Sequence, residues 1–408
     1  MKLYFKLAYR NIFRNKKRTL ITVISIFIAV FLALITRSMQ LGAYSHVIDN
    51  VAGKYTGYVQ VHAKGYWEDK NLDHALVYSD SLSQKILQVK GVKSLVPRLE
   101  SYSLVSFKDK TKPVFLNGLD PEKEKQLNPI GNRLIKGEVF RLNEKSVLIG
   151  KGMASYLQLK PQDSIYLIGQ GYHGMMAAGK YLVKGIFDMN NEELNRSLVI
   201  LPLPVLQEYL SAPNLITNLV IVKSGNAKAE TLKKRLEKTL PDKKFEVMTW
   251  KEMLPDLHQA IVVDNIGGLY MIGVLYMIIA FGIFSTVLMM TQERIFEFGI
   301  LTAIGMKKWK TIITLWIETI ALSLIGLFLG IIAAYPIMYY YHIHPLPLPS
   351  EKADVMKKYG FMPEIPFSID WHILINHGTL ILLISILAAL YPSLVILRLN
   401  PLKAMHKK

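Results

Sequence analysis

Charge is absent from four stretches of the chain: Thr19–Thr36, Ile266–Thr291, Thr319–Tyr341 and Gly378–Leu397. At about 1.5 Å of rise per residue each can cross a hydrocarbon layer of about 30 Å, so four transmembrane helices are expected. The apolar pattern runs past two of their edges. Leu41, Tyr44, Ile48 and Val51 keep helical spacing beyond Arg37, as do Leu254, Leu257, Ile261 and Asn265 ahead of the second stretch. Two rigid stalks are therefore expected on the outer side of spans one and two. Residues 1–18 set Leu3, Phe5, Leu7, Tyr9, Ile12 and Phe13 among basic residues, the pattern of an interfacial helix.

Between spans one and two the period shortens to that of strands. Strands are expected at Tyr58–His62, Ser101–Phe107, Val114–Leu119, Ser146–Ile149, Ser164–Ile168, Tyr181–Phe187, Ser197–Leu201, Leu219–Val222 and Phe245–Thr249. Helices are expected at Ser81–Val89, Lys151–Leu157, Val205–Leu210 and Ala227–Leu240. The fold class is thus an α-helical membrane protein with a large α+β extracytoplasmic domain. Its expected parts are an interfacial helix (1–18), span one with its stalk (19–44), the outer domain (45–263), span two (264–291), an inner helix (292–310), span three (311–341), an outer loop (342–371), span four (372–397) and a tail (398–408). Within the outer domain, residues 120–212 read as a second subdomain inserted into a first made of 54–119 and 213–253.

Charge sets the expected orientation. Basic residues crowd residues 1–18, the loop holding Arg294, Lys307, Lys308 and Lys310, and the tail with Arg398, Lys403, Lys407 and Lys408. By the bias of cytosolic loops toward Lys and Arg, both termini face the cytosol and the large domain lies outside an inner, cytoplasmic membrane. A net charge of +18 on 408 residues could serve nucleic acid, but its concentration at membrane edges fits anionic headgroups instead. There is no cysteine, which excludes disulfides and thiol chemistry. The first apolar run is too long for a signal peptide and lacks a small-residue cleavage site, so it reads as an uncleaved anchor.

The inner loop carries the most informative pattern. Glu293, Glu297 and Leu301 recur at four-residue spacing, Ile295, Phe298, Ile300 and Ile304 offer apolar contacts, and Gly299 and Gly305 allow close approach or an abrupt end. Spacing alone leaves open a solvated connector or a docking helix. The run Glu293-Arg294, Glu297-Phe298-Gly299, Leu301, Ala303-Ile304-Gly305 resembles the signature of FtsX-like permeases, the superfamily of ABC transporter membrane subunits that includes MacB and LolC/LolE. The stretch Leu7 to Thr19, Glu318 with Gly326 and Gly330, and the stretch Tyr391 to Ala404 resemble it too.

The resemblance implies a coupling helix at about Glu293–Gly305 for a separate ATPase, with Glu293, Arg294, Glu297, Phe298, Gly299, Leu301 and Gly305 as its coupling residues. It implies a dimer with an identical or homologous permease, ATP and Mg held only by the partner ATPase dimer, and a MacB-type periplasmic core. Its cavity would be bounded by spans one and two, with Phe31, Met39, Tyr270, Met271 and Met277 as candidate lining because flexible Met and flat rings suit acyl chains. In architecture the chain is most similar to LolC/LolE, which extract lipoproteins or lipids from the outer leaflet, with membrane lipids, lipoproteins and an extracytoplasmic carrier as further partners. MacB-like peptide or drug efflux, FtsX-like relay of force to a cell-wall hydrolase, and a receptor without transport are the alternatives.

Three features need weighing beside the resemblance. Glu318 is an acidic residue inside a span and requires a partner; Arg294, Lys310 or backbone groups are within reach of its position, and a proton relay is the other reading. Gly326 and Gly330 form Gly-x-x-x-Gly, which suits packing within the subunit or a dimer seam. Gly174 to Tyr181 nearly spells a phosphate-binding loop but lacks Ser or Thr after Lys180, so an ordered glycine loop is expected. The histidines form no metal motif, and no hydrolase motif is present. A non-catalytic subunit that binds neither metal nor nucleic acid is expected.

Overall fold

A computed structural model describes residues 10, 14, 16–189, 191–225, 227–241, 243–349, 351, 353 and 363–400. Most of the expected interfacial helix at residues 1–18, the end of the terminal motif and Lys403, Lys407 and Lys408 lie outside the described residues. The chain divides into two units, residues 1–44, 260–346 and 365–408 forming one, and 45–259 with 347–364 the other.

Four helices among the described residues are long and apolar enough to cross a membrane: Thr19–Thr56, Pro255–Glu293, Lys308–Ile343 and Trp371–Leu397. The first is α-helical over Lys16–Ile48 and continues as π-helix to Thr56. Helix thus persists beyond the uncharged stretches at Leu41, Tyr44, Ile48 and Val51, and again from Pro255. The helical unit is packed around Ile26, Val30, Ala33, Leu34, Ile272, Ile279, Ile283, Leu322 and Ile381. Gly326 and Gly330 face the first helix: a Cβ on either would stand 2.7 Å from Ile26 or Val30. The two glycines therefore serve close packing inside the subunit.

In the other unit the strands are β1 (Val59–Ala63), β2 (Leu76–Val77), β3 (Val92–Phe107), β4 (Lys110–Leu119), β5 (Leu134–Gly137), β6 (Ser146–Gly150), β7 (Ser164–Gln170), β8 (Met176–Phe187), β9 (Leu198–Pro202), β10 (Leu215–Ile216), β11 (Asn218–Lys223) and β12 (Phe245–Thr249). The main sheet runs β12-β1-β11-β3-β4-β9-β6-β8-β5, and β7 pairs with both β3 and β8. That double pairing closes β3, β4, β9, β6, β8 and β7 into a ring, a small barrel with β11, β1 and β12 extending from one side. Closure removes strand edges that would otherwise need cover. Val105, Val114, Leu116, Ile149, Leu167 and Val183 fill the core, while the alternate residues Tyr102, Leu104, Tyr166, Ile168 and Met176 are exposed, as the two-residue period of a strand requires.

Strands β3 and β4, expected to belong to the first subdomain alone, also complete the barrel with the middle stretch. Strand β3 starts nine residues before the expected Ser101, because Pro97 and the charged Arg98 and Glu100 mask a pattern held by pairing with β11. The glycine run after Gly174 is not a loop: the turn Tyr172–Gly174 is followed directly by β8, whose first residues pair with β7. A strand there offers no helix N-terminus to a phosphate.

Candidate functional site

The segment between the second and third long helices is built by a break in a helix. The second membrane helix is continuous through Glu293, Arg294 leaves helical geometry at φ −103°, ψ 5°, and a separate helix covers Ile295–Ala303. Glu293 therefore ends the span and is not on the short helix, so the expected four-residue stripe Glu293–Glu297–Leu301 is interrupted at the break. Gly305 ends the segment with φ +102° and open space around it, a left-handed stop that glycine adopts without strain.

Phe298 and Gly299 bury the inner face of this helix. Ile295 packs against the helical core. Ile304 is 80% exposed, and Phe296 and Leu301 are exposed as well. The short helix thus presents an apolar ledge to its surroundings while its other face is seated on the membrane helices.

Charges fix it there. Arg294 Nη1 donates to Glu318 Oε2 at 2.8 Å, and both side chains are buried. Arg294 Nε reaches Glu297 Oε2 at 3.4 Å, and Arg14 Nη2 lies 2.8 Å from Glu297 Oε1. The guanidinium of Arg294 also lies 5.2 Å from the centre of the Phe298 ring. Arg294, one of the partners considered for Glu318, does meet it. An isolated carboxylate at this depth costs several kcal/mol, roughly, and the ion pair offsets that cost.

The candidate cavity residues differ in how far they are exposed. Tyr270, Met271 and Met277 are 75%, 66% and 60% exposed along the second helix. Phe31 and Met39 instead pack against the helical core, with Phe31 stacked on Phe27 at 6.1 Å.

Sequence reasoning missed a polar clasp where the first two helices run past their uncharged stretches. Arg37 Nη1 donates to Gln40 Oε1 at 2.7 Å and Asn265 Oδ1 at 2.8 Å. Tyr44 donates its hydroxyl to Asp264, whose backbone carbonyl accepts from Gln40 Nε2 at 3.1 Å. Gln40 occupies the space that a side chain at Gly268 would need. The available signal was Arg37 at the end of one apolar stretch and Asp264 at the start of the next. Also missed were three interior contacts: Tyr276 with His377, Ser323 with Ser385 at 2.6 Å, and Trp316 Nε1 donating to Ser393 Oγ at 2.9 Å. His377 lies inside the fourth helix, which begins at Trp371.

Comparison with known proteins bears on the same regions. Residues 269–401 match the FtsX-like permease C-terminal family, and residues 19–239, more than half of the chain, match the MacB-like periplasmic core domain family. Among solved structures, the chain is similar to the extracellular domain of the noncanonic ABC-type transporter YknZ from Gram-positive bacteria, at 15% identity and a TM-score of 0.35, covering 47% of this chain and 100% of that one. It is also similar to the periplasmic region of MacB from Actinobacillus actinomycetemcomitans, at 12% identity and a TM-score of 0.36, over 50% of this chain and 91% of that one. A domain of a putative permease protein from Porphyromonas gingivalis matches at 14% identity and a TM-score of 0.28, over 47% of this chain and 85% of that one.

Proposed function

The chain belongs to the FtsX/MacB-like family of ABC transporter permeases, and from that premise we propose that its short helix Ile295–Ala303 receives the push of a separate cytosolic ATPase. Membership implies such an ATPase and a permease dimer. The observation that carries the proposal is the seating of this helix: Arg294 ties it to Glu318 of the third membrane helix while Phe296, Leu301 and Ile304 stay exposed. A partner pressing on that ledge would move the third helix with it, because the joint is a buried ion pair rather than a mobile surface contact. The third helix in turn packs on the first through Gly326 and Gly330. The first and second helices are clasped at Arg37–Asn265 and Tyr44–Asp264 and continue as helix beyond their uncharged stretches, which supports transmission toward the outer side.

For the cargo we propose lipoproteins or lipids taken from the outer leaflet of the inner membrane, in the manner of LolC/LolE. The exposed row Tyr270, Met271, Met277 on the second helix supports contact with acyl chains. Burying such chains is worth about 0.8 kcal/mol per CH₂, so their extraction needs a fuel. In this reading the chain holds no ATP, Mg or other cofactor of its own and acts without catalysis, both termini face the cytosol, and an extracytoplasmic carrier collects the cargo.

Co-purification of the native chain with its ATPase in native lipid, with hydrolysis measured, tests the docking. Glu297→Lys places a cation beside Arg14 and Arg294 and is expected to release the ATPase or uncouple its hydrolysis. Normal association and normal activity in that variant contradict the assignment. Mass spectrometry of the trapped material separates lipoprotein or lipid cargo from a peptide or drug.

A further inference from the structure

On the outer surface of the barrel, between β3, β4 and the helix Glu192–Ser197, lies a cleft of about 410 Å³ walled by Tyr55, Tyr102, Pro113, Phe115 and Leu194. Tyr102 and Phe115 set their rings 5.3 Å apart at 55°, a cross-strand pair fixed by the register of β3 and β4. Tyr55 is held from beneath. Arg98 donates to its backbone carbonyl and makes a two-pronged, buried ion pair with Glu124, Nε to Oε2 at 3.1 Å and Nη2 to Oε1 at 2.5 Å. That guanidinium is committed and adds no free positive charge to the cleft.

The charged group on the wall is Glu193, and Ser197 beside it donates its hydroxyl to the Glu193 backbone carbonyl at 2.7 Å. Its neighbour Glu192 pairs with Arg196 at 3.2 Å, whereas Glu193 meets no cation among the described residues. Aromatic faces carry negative potential and attract ammonium or guanidinium groups, more so beside a carboxylate. An apolar, aromatic hollow edged by one carboxylate with no cation beside it is complementary to a cation borne on an apolar body.

We propose that this cleft binds a short basic–apolar peptide, with a Lys or Arg side chain between the rings and Glu193 and its apolar neighbours along Pro113 and Leu194. The cleft is preorganised, because the Arg98–Glu124 pair holds Tyr55 in position before any ligand arrives.

The test uses the full-length chain in detergent or nanodiscs, without ATPase or nucleotide, so its outcome is separate from that of the docking experiment. A fluorescent peptide alternating Leu and Arg is titrated by polarisation against the same peptide with Gln for Arg. The native chain is expected to bind the Arg peptide about tenfold more tightly than the Gln peptide, and Glu193→Gln to remove that preference. Tyr102→Ala, at an exposed position, is expected to weaken the Arg peptide several-fold. Glu192→Gln, already neutralised by Arg196, is expected to change it by less than about twofold. Failure of the native chain to bind the Arg peptide, equal binding of both peptides, or an unchanged preference in Glu193→Gln overturns the proposal.

Discussion

Arg294 and Glu318 form a buried ion pair 2.8 Å long, joining the break at the end of one membrane helix to the interior of the next. Removing one partner leaves the other charged and buried, which costs about 3–5 kcal/mol. Glu318→Ala is therefore expected to lower the melting temperature of the purified chain sharply and to cut coupled transport. The exchange Arg294→Glu with Glu318→Arg is expected to recover part of both. A Glu318→Ala variant as stable as the native chain would show that the pair holds nothing in place.

A second expectation concerns Gly326 and Gly330, each meeting a β-branched residue of the first helix. Gly330→Leu is expected to destabilise the chain by about 1–3 kcal/mol through overpacking, and Val30→Ala in the same chain to restore much of the loss. Rescue separates packing inside the subunit from a seam between subunits, where Val30→Ala would bring no relief and the dimer would dissociate instead.

The outer clasp predicts a different signature. Its groups are partly exposed, so Asp264→Ala is expected to cost about 1 kcal/mol or less. Because Asp264 receives both Tyr44 and Gln40, its loss should leave ATPase association intact while transport per ATP falls. An unchanged ratio of transport to hydrolysis would remove the clasp from the transmission path.

His62 gives the outer unit a pH dependence. Its Nδ1 meets the Thr217 carbonyl at 3.1 Å, its Nε2 has no hydrogen-bond partner among the described residues, and its ring stacks on Tyr66. Burial holds its pKa at about 4, against 6.5 ordinarily, with the Thr217 bond opposing and Lys70 assisting the depression. Between those two values the unfolded chain takes up a proton that the folded chain refuses. The stabilisation is therefore complete above pH 6.5 and is lost as pH falls toward 4, by on the order of 3 kcal/mol. Thermal melts of the native chain and His62→Asn across that window check this, with a flatter profile expected for the variant and identical slopes counting against it.

The membrane helices were legible because uncharged length is a local property, and the helical extension past Arg37 followed from Leu41, Tyr44, Ile48 and Val51 in the same way. The break at Arg294 was not legible: the apolar pattern runs through it, and the residue leaves helical geometry where its side chain turns to Glu318. Barrel closure was hidden for a related reason. Strand β7 looks like any half-buried strand, and its pairing with both β3 and β8 depends on residues about 60 positions away in sequence as well as a short hairpin. Pro97 argued against a strand that neighbouring β11 nevertheless holds. The half-buried placement of Phe31 and Met39 against the helical core depended on which face of the first helix its neighbours cover, and Gly326 and Gly330 set the approach of the third helix.

Cysteine scanning tests the central assignment most directly, since the native chain has no cysteine of its own. Ile304→Cys places a thiol on the exposed ledge of the short helix, and Val77→Cys places one on the surface of the outer unit, where Val77 is exposed. In spheroplasts an impermeant maleimide is expected to label Val77→Cys and to spare Ile304→Cys. In inverted vesicles Ile304→Cys is expected to react, and to be shielded when the ATPase is bound. Labelling of Ile304→Cys from outside, or equal reactivity with and without the ATPase, would contradict the account of this helix as the point where the force enters.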